Sequence, residues 1–224
     1  MITEELTNIL KDAGAALVGV GRVDDVDACS WPVGVAVAVR IPSPIVRDLL
    51  EAPTAEYGRA YDTLNAKLNS IVTAGADYLI AQGYRALAQT TANVVKLDPL
   101  ATAIPHKTVA TRAGLGWIGK SCLLVTPEYG SAVRISSILT DAPLRVAQPI
   151  VESRCGSCQQ CVDHCPAKAL KGTLWHAGIE RSALVDAAQC DGTMRQISAA
   201  IPGLDHDLCG KCIAVCPHTQ QILE

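Results

Sequence analysis

The sequence predicts an α+β chain in which a region of mixed strands and helices precedes a cysteine-rich module. Valine-rich apolar segments such as 33–39 are typical of buried strands. Apolar residues at helical spacing between 54 and 82 indicate one long helix. Eight of the ten cysteines follow residue 151, so the last third of the chain has its own chemistry.

The long helix is predicted with both of its ends. Thr54 is a suitable N-cap, and Gly83 fits the position just past the last turn. Its apolar face is predicted to contain Leu64, Leu68, Ile71, Val72, Leu79 and Ile80.

Shorter elements surround this helix in the first 150 residues. A helix is expected at residues 3–13, and strands are expected at 15–20, 33–39, 84–90, 122–126 and 132–139. Such mixing predicts a layered α/β arrangement. Because Pro143 and Pro149 mark a junction, the expected domains are 1–150 and 151–224.

Composition narrows the class of protein. The net charge is −3, which does not indicate a protein that coats nucleic acid. Residues 1–6 lack the basic and then apolar pattern of a signal peptide. No apolar run approaches the roughly 20 residues that cross a bilayer. We therefore expect a cytoplasmic protein without a membrane partner, and in that reducing compartment cysteines usually bind metals.

A regular cysteine run occupies residues 155–166. Its spacing is the C-x2-C-x2-C-x3-C-P of bacterial ferredoxins, formed by Cys155, Cys158, Cys161 and Cys165. Three closely spaced thiolates can wrap one cube of iron and sulfide, while the fourth points to a second cube. The run therefore predicts a ferredoxin-like module with two 4Fe–4S clusters.

A second run supplies three more ligands, which are Cys209, Cys212 and Cys216. The position that would hold its first cysteine is His206, and Cys190 is the spare cysteine nearby. The predicted first cluster takes Cys155, Cys158, Cys161 and Cys216, and the second takes Cys165, Cys190, Cys209 and Cys212. His206 is the alternative to Cys190, although all-thiolate ligation is the common case.

Zinc is the alternative metal for these cysteines. Zinc sites usually pair two Cys-x-x-Cys units and close with four ligands. A triple run that ends in Cys-Pro, with a second Cys-Pro copy, fits clusters better. Cys29 and Cys122 are expected to be buried thiols without a metal.

A glycine-rich segment lies between the two regions. Gly114, Gly116 and Gly119 allow close approach of the backbone to another group. The letters from Gly114 to Ser121 also satisfy the P-loop pattern. A P-loop follows a buried strand and opens a helix, whereas here helix-like residues 105–113 come first. A nucleotide site is thus a weaker interpretation than a tight corner with Trp117 in the core.

Residues 113–120 read A-G-L-G-W-I-G-K, and T-D-A-P-L follows at 140–144. With the cysteine runs in the same order, the chain resembles the epoxyqueuosine reductases, relatives of the reductive dehalogenases. The resemblance is clearest over residues 105–218. It implies a nitroreductase-like α/β domain that binds cobalamin, followed by the ferredoxin-like module.

The resemblance also implies a function. Low-potential electrons would come from a ferredoxin or flavodoxin type of donor, pass through both clusters and reduce cobalamin. The reduced corrin would then reduce a small-molecule or nucleoside-like substrate. Contacts to cobalamin are implied for Lys107, Gly114, Leu115, Gly116, Trp117, Gly119, Lys120 and Arg134. An alternative is a two-cluster carrier that reduces a separate corrinoid or metalloenzyme.

Two departures from the family concern catalysis and substrate. The position of the family's aspartate proton donor is Leu100 here, so Asp98 and His106 are the candidate catalytic acids. Histidine suits this role because its ordinary pKa is about 6.5. The chain also ends at Glu224, without the helical repeats that help the family hold tRNA. Together with the net negative charge, this makes a tRNA partner doubtful.

Overall fold

The computed structural model describes residues 2–26, 29–98 and 100–223. The chain divides into two compact units by its contacts. The first unit contains residues 1–39, 64–116 and 134–150, and the second contains 40–63, 117–133 and 151–224. One change of unit thus falls at the boundary expected at residue 150. The second unit also includes two earlier segments that the sequence did not assign to it.

The described strands are short apart from two. In chain order they are β1 (Leu17–Arg22), β2 (Val33–Arg40), β3 (Ala86–Ala88), β4 (Lys96–Asp98), β5 (Ala101–Thr102), β6 (Trp117–Ile118), β7 (Leu124–Val125) and β8 (Val133–Thr140). Strands predicted at 15–20, 33–39, 84–90, 122–126 and 132–139 correspond to β1, β2, β3, β7 and β8.

The helices include one of 27 residues. In chain order they are α1 (Ile2–Asp12), α2 (Ser43–Asp48), α3 (Ala55–Ala81), α4 (His106–Arg112), α5 (Gln160–Asp163), α6 (Ala187–Ala199), α7 (Lys211–Ala214) and α8 (Pro217–Gln220). A single 3-10 turn spans Arg181–Ala183. Across the described ranges, none of the helices combines the length and apolarity needed to cross a membrane.

The first unit is built on a four-stranded sheet in the order β1-β2-β8-β3. β1 runs antiparallel to β2 with Leu17 opposite Ala38, and β3 runs antiparallel to β8 with Ala86 opposite Thr140. Every residue of β2 except Arg40 is buried. An uninterrupted apolar strand is what burial on both faces requires.

The long helix α3 has the predicted ends. The hydroxyl of Thr54 accepts the N–H of Tyr57 at 3.2 Å, and Gly83 follows the helix with a φ of +87°. Leu79 is fully buried, but the prediction for Ile80 was wrong because its side chain is 53% exposed. Successive helical residues point about 100° apart, so neighbours at the edge of an apolar face separate in this way.

Helix α4 packs closely on strand β1 within the first unit. A Cβ atom at Gly21 would lie 2.3 Å from the carbonyl carbon of Arg112. Glycine is therefore required where the strand meets the end of the helix. This contact fixes the start of the glycine-rich segment that follows α4.

The second unit contains short helices and a β6–β7 hairpin. Helix α2 packs against α7, where a Cβ at Gly210 would lie 2.6 Å from Cδ1 of Leu49. Helices α5 and α7 also contact one another. Because both carry or flank cysteines, their packing brings the two cysteine runs together.

Candidate functional site

The first cysteine run surrounds helix α5. Cys155 and Cys158 lie in the preceding turn, where the N–H of Cys158 donates to the carbonyl of Cys155 at 3.1 Å. Cys161 lies within α5, and Cys165 follows it. A turn and a single helical turn therefore present these thiols from successive positions.

The second run surrounds helix α7. Cys209 precedes α7, Cys212 lies in its first turn, and Cys216 is the N-cap of α8. Cys190 comes from α6, whose N-cap carboxylate, Asp186, accepts the N–H of Gln189 at 2.9 Å. Four short elements thus supply the eight predicted ligands.

A cavity of about 90 Å³ lies among these elements in the second unit. The cysteines that line it are Cys155, Cys158, Cys161, Cys212 and Cys216. Four of the five are the set that the spacing predicts for the first cluster. Within the described part of the chain, no three His, Cys, Asp or Glu side chains form a group suited to one metal ion.

The thiols of the first set affect one another electrostatically. Burial, and after it the neighbouring Cys155, Cys216 and Cys158, raise the pKa of Cys161 to about 12. The neighbouring cysteines are the three partners that the spacing assigns to Cys161. Iron would supply the positive charge that stabilises four thiolates here.

The second set shows the same relationship. Burial raises the pKa of Cys190, and the next contributions come from Cys165 and Cys209. Burial also raises the pKa of Cys212, whose thiol neighbours include Cys209, Cys161, Cys190 and Cys165. Cys190 therefore lies among the thiols of the predicted second set.

His206, the alternative to Cys190, is engaged elsewhere. Its Nε2 lies 2.9 Å from the carboxylate of Asp62, and its ring centroid lies 4.8 Å from that of Tyr61. These contacts hold the imidazole on residues that precede the cysteine runs. The geometry therefore favours Cys190 over His206 as the eighth ligand.

Three residues of the glycine-rich segment, Gly119, Lys120 and Ser121, line the same cavity. A Cβ at Gly119 would lie 2.9 Å from Cγ2 of Val125 and 3.5 Å from Sγ of Cys155. Lys120 is 4% exposed, and its Nζ donates to the carbonyl of Cys158 at 2.9 Å. The sequence placed Gly119 and Lys120 against cobalamin, whereas the structure places them beside the cysteines.

Hydrogen-bond donors surround the thiol of Cys216. Burial raises the pKa of this thiol, while the N–H groups of Thr219 and His218 and the hydroxyl of Ser131 lower it. The N–H of Ser131 donates to Oγ1 of Thr219 at 2.9 Å. The Ser131 hydroxyl is buried and has no oxygen or nitrogen partner among the described residues. A thiolate at Cys216 would satisfy this donor. Sequence analysis missed Ser131 because no motif contains it.

Trp117 packs in the second unit and is 2% exposed. Its ring meets that of His218 edge-on at 5.0 Å, and the Arg154 guanidinium lies 5.5 Å from its centroid. The indole N–H is buried without a hydrogen-bond partner among the described residues. Trp117 is one of the residues predicted to contact cobalamin, and a bound ligand would give its indole N–H a hydrogen-bond acceptor.

The other residues predicted to contact cobalamin belong to the first unit. Lys107 lies on α4, and Gly114, with a φ of +71°, approaches the carbonyl of Gln148. Leu115 packs against Gly19, and Gly116 is buried. Arg134, on β8, donates to Oδ1 of Asn65 at 3.0 Å. The residues predicted to contact cobalamin are thus divided between the two units.

His106 takes part in a polar network of the first unit. Its Nδ1 lies 2.9 Å from Oγ of Ser137, and the amide of Gln89 donates to the same Oγ at 2.6 Å. If the Ser137 hydroxyl donates to Nδ1, the imidazole proton lies on Nε2.

This environment keeps the His106 ring neutral. Burial and the nearby Arg134 guanidinium lower the pKa of His106 to about 4. The expectation of an acid with a pKa near 6.5 was wrong, because both causes oppose the charged imidazolium. The other candidate acid, Asp98, ends β4, and its side chain lies outside the described residues.

The P-loop interpretation fails on the order of elements. Helix α4 precedes the glycines and strand β6 lies between them, whereas a P-loop needs a strand and then a helix. The lysine of the pattern, Lys120, donates to the carbonyl of Cys158. The three glycines therefore belong to a tight turn region after α4 and not to a phosphate-binding loop.

The two cysteines outside the runs differ in exposure. Cys122 is buried, as predicted. Cys29 is only partly buried, so that prediction was wrong for this residue. Its Sγ lies 3.5 Å from the carbonyl of Trp31, which is a weak interaction for a thiol.

Comparison with known proteins supports both the site and the fold. Residues 154–219 match the family model described as a 4Fe-4S double cluster binding domain. The epoxyqueuosine reductase of Bacillus anthracis is 35% identical over 121 residues, which cover 51% of this chain and 29% of that relative. The predicted resemblance to epoxyqueuosine reductases is confirmed. The match nevertheless spans under a third of that relative's length.

Two solved structures share the mixed α/β fold. A reductive dehalogenase, described as suggesting a mechanism for B12-dependent dehalogenation, aligns with a TM-score of 0.70 at 17% identity. The alignment covers 96% of the present chain and 31% of the dehalogenase chain. An epoxyqueuosine reductase with an epoxyqueuosine-modified tRNA-Tyr stem loop aligns with a TM-score of 0.62 at 22% identity. This alignment covers 97% of the present chain and 65% of the epoxyqueuosine reductase chain.

Proposed function

We propose that this chain is an iron–sulfur oxidoreductase that passes low-potential electrons through two 4Fe–4S clusters to a bound cobalamin. The observation that carries the proposal is the division of eight thiols into two neighbouring sets within the double-cluster segment. The first set is Cys155, Cys158, Cys161 and Cys216. The second set is Cys165, Cys190, Cys209 and Cys212.

The residues around the first set fit a cluster. A side chain at Gly119 would crowd Val125 and approach Sγ of Cys155, so glycine keeps this wall clear of the cysteines, and donors point at the thiol of Cys216. Buried thiols with raised pKa values need a positive centre to become thiolates. When bound, 4Fe–4S clusters transfer single electrons at potentials tuned by such surroundings.

Cobalamin is proposed for a nitroreductase-like domain that comprises most of residues 1–150. Support comes from the shared fold with a reductive dehalogenase described as B12-dependent. In this chain Lys107 and Gly116 would contact the corrin or its tail. The corrin, when bound, supplies the reductive chemistry, while the protein orients it and excludes water.

Neutral His106 has a defined part in this proposal. With its proton on Nε2, it would donate a hydrogen bond to the substrate or corrin without carrying charge. Proton delivery would then fall to Asp98 or to solvent. A pH–rate profile without a step near 6.5 is expected, because His106 does not titrate there.

The proposed substrate is a small molecule or a nucleoside-like group. One structural relative holds a modified tRNA stem loop, which makes a nucleoside within tRNA a candidate. The electron donor would be a cytoplasmic ferredoxin or flavodoxin. A gel-shift comparison of a tRNA stem loop with competing free nucleoside distinguishes these substrate classes.

An anaerobic cobalamin titration tests the central proposal. Protein with its iron content measured is mixed with cob(II)alamin, and saturable uptake with a base-off absorption spectrum is expected. Gly116→Leu should abolish uptake while leaving the iron–sulfur absorbance unchanged. The matched control is Gly192→Leu, since no atom lies within 4 Å of a Cβ at Gly192. Normal clusters without cobalamin uptake would instead support the two-cluster carrier.

A further inference from the structure

We propose that Lys120 is a buried counter-charge that raises the potential of the first cluster above that of the second. The first cluster is the one assigned to Cys155, Cys158, Cys161 and Cys216, so this inference rests on the cluster part of the proposed function. It gives electron flow within the module a direction, from the second cluster to the first.

The position of Lys120 is fixed by its contacts. Lys120 lines the cysteine cavity, and the whole residue is 4% exposed. Its Nζ donates at 2.9 Å to the carbonyl of Cys158, which is itself a proposed ligand. No carboxylate pairs with Lys120 among the described residues. The ammonium is therefore held against the backbone of the ligand loop and not in solvent.

The charge of this group determines its effect. A cluster held by four thiolates is anionic, and reduction adds one further negative charge. A buried cation stabilises the more negative state more strongly, since the surrounding dielectric constant is low. One electron moves from the second cluster to the first, and no bond forms or breaks. Lys120 therefore favours the first cluster as the place where this electron rests.

The second set of cysteines has a different electrostatic surrounding. The charged side chains that act on the Cys190 thiol are Asp191 and Arg181, which have opposite signs. Lys211 lies near Cys209 and is only partly buried, and its Nζ donates to the carbonyls of Leu50 and Glu51. Solvent screens a partly exposed charge more than a buried one. The asymmetry between the clusters thus comes from a buried cation that only the first has among the described residues.

Redox titration followed by electron paramagnetic resonance tests the inference on the cluster-loaded protein. Lys120→Met should make the midpoint potential of the first cluster more negative by about 59 mV, which is a tenfold change in its one-electron reduction equilibrium. Lys120→Arg should keep the potential close to that of the native protein. Lys211→Met is the matched control, because it removes the same charge beside the other run and should shift either cluster by less than half as much.

A second measurement needs no change at Lys120. In the native protein, the signal that appears first on reduction should be the one altered by Cys161→Ser and not by Cys190→Ser. Equal shifts in Lys120→Met and Lys211→Met, or first reduction of the Cys190 cluster, would overturn the inference. Absence of acid-labile sulfide in native protein would instead refute the proposed function, so the two failures are distinguishable.

Discussion

His206 places its Nε2 2.9 Å from the carboxylate of Asp62, at the surface of the second unit. The cysteine spacing alone would put a ligand at position 206, and this contact directs the imidazole elsewhere. Cys190 instead has Cys165 and Cys209 as its thiol neighbours. A helix that begins after the first run thus brings Cys190, the proposed eighth ligand, among the thiols of the second set.

The ligand assignment predicts the iron content of two variants. Cys190→Ser should lower iron and labile sulfide to about half, because one of two clusters loses a ligand. His206→Ala should keep full iron, since it loses only an exposed pair worth less than about 1 kcal/mol. Full iron in Cys190→Ser together with loss in His206→Ala would show that the histidine is the ligand.

Ser131 should influence the potential of the first cluster by hydrogen bonding. Its buried hydroxyl lies beside Cys216, and donors to a cluster sulfur stabilise the reduced state. Ser131→Ala should lower the midpoint potential by an amount on the order of 30 mV. The control is Ser121→Ala, which changes a hydroxyl lining the same cavity that accepts from the N–H of Leu123. Equal potentials in the two variants would contradict this role.

His106 should make the stability of the protein depend on pH. The folded state lowers its pKa to about 4, so this contribution is fully present above pH 6.5 and is lost as pH falls towards 4. Between pH 7 and pH 5, native protein should lose about 2 kcal/mol more unfolding free energy than His106→Gln. Urea unfolding of both proteins at each pH measures the difference. Parallel losses would mean that the imidazole titrates alike in folded and unfolded chains.

The contact between β1 and α4 should not tolerate a side chain at Gly21. Gly21→Ala would place Cβ 2.3 Å from the backbone of Arg112 and should destabilise the protein by about 1–3 kcal/mol. Gly192→Ala is the control, since Gly192 lies inside α6 with no atom near its added Cβ. It should raise stability by about 0.5–1 kcal/mol. Thermal unfolding by circular dichroism would show opposite shifts, and a lowered Tm in both would contradict this account.

Much of the secondary structure follows from local patterns. The limits of α3 were predictable because Thr54 and Gly83 act through neighbouring backbone groups. The position of Ile80 was not, since a residue at the edge of an apolar face is buried or exposed according to what packs there. The lowered pKa of His106 likewise depends on burial in the folded chain and on Arg134, which lies on a strand that is distant in sequence.

The sequence by itself determined the cysteine chemistry, because ligand spacing within a run is a local property of the chain. It also carried the resemblance to epoxyqueuosine reductases. The tertiary structure decided how Cys190, Lys120 and Ser131 join the cysteine runs. Each is separated from its partners by many residues, so only the packing of distant segments brings this thiol, this cation and this hydroxyl beside the cysteines of the two runs.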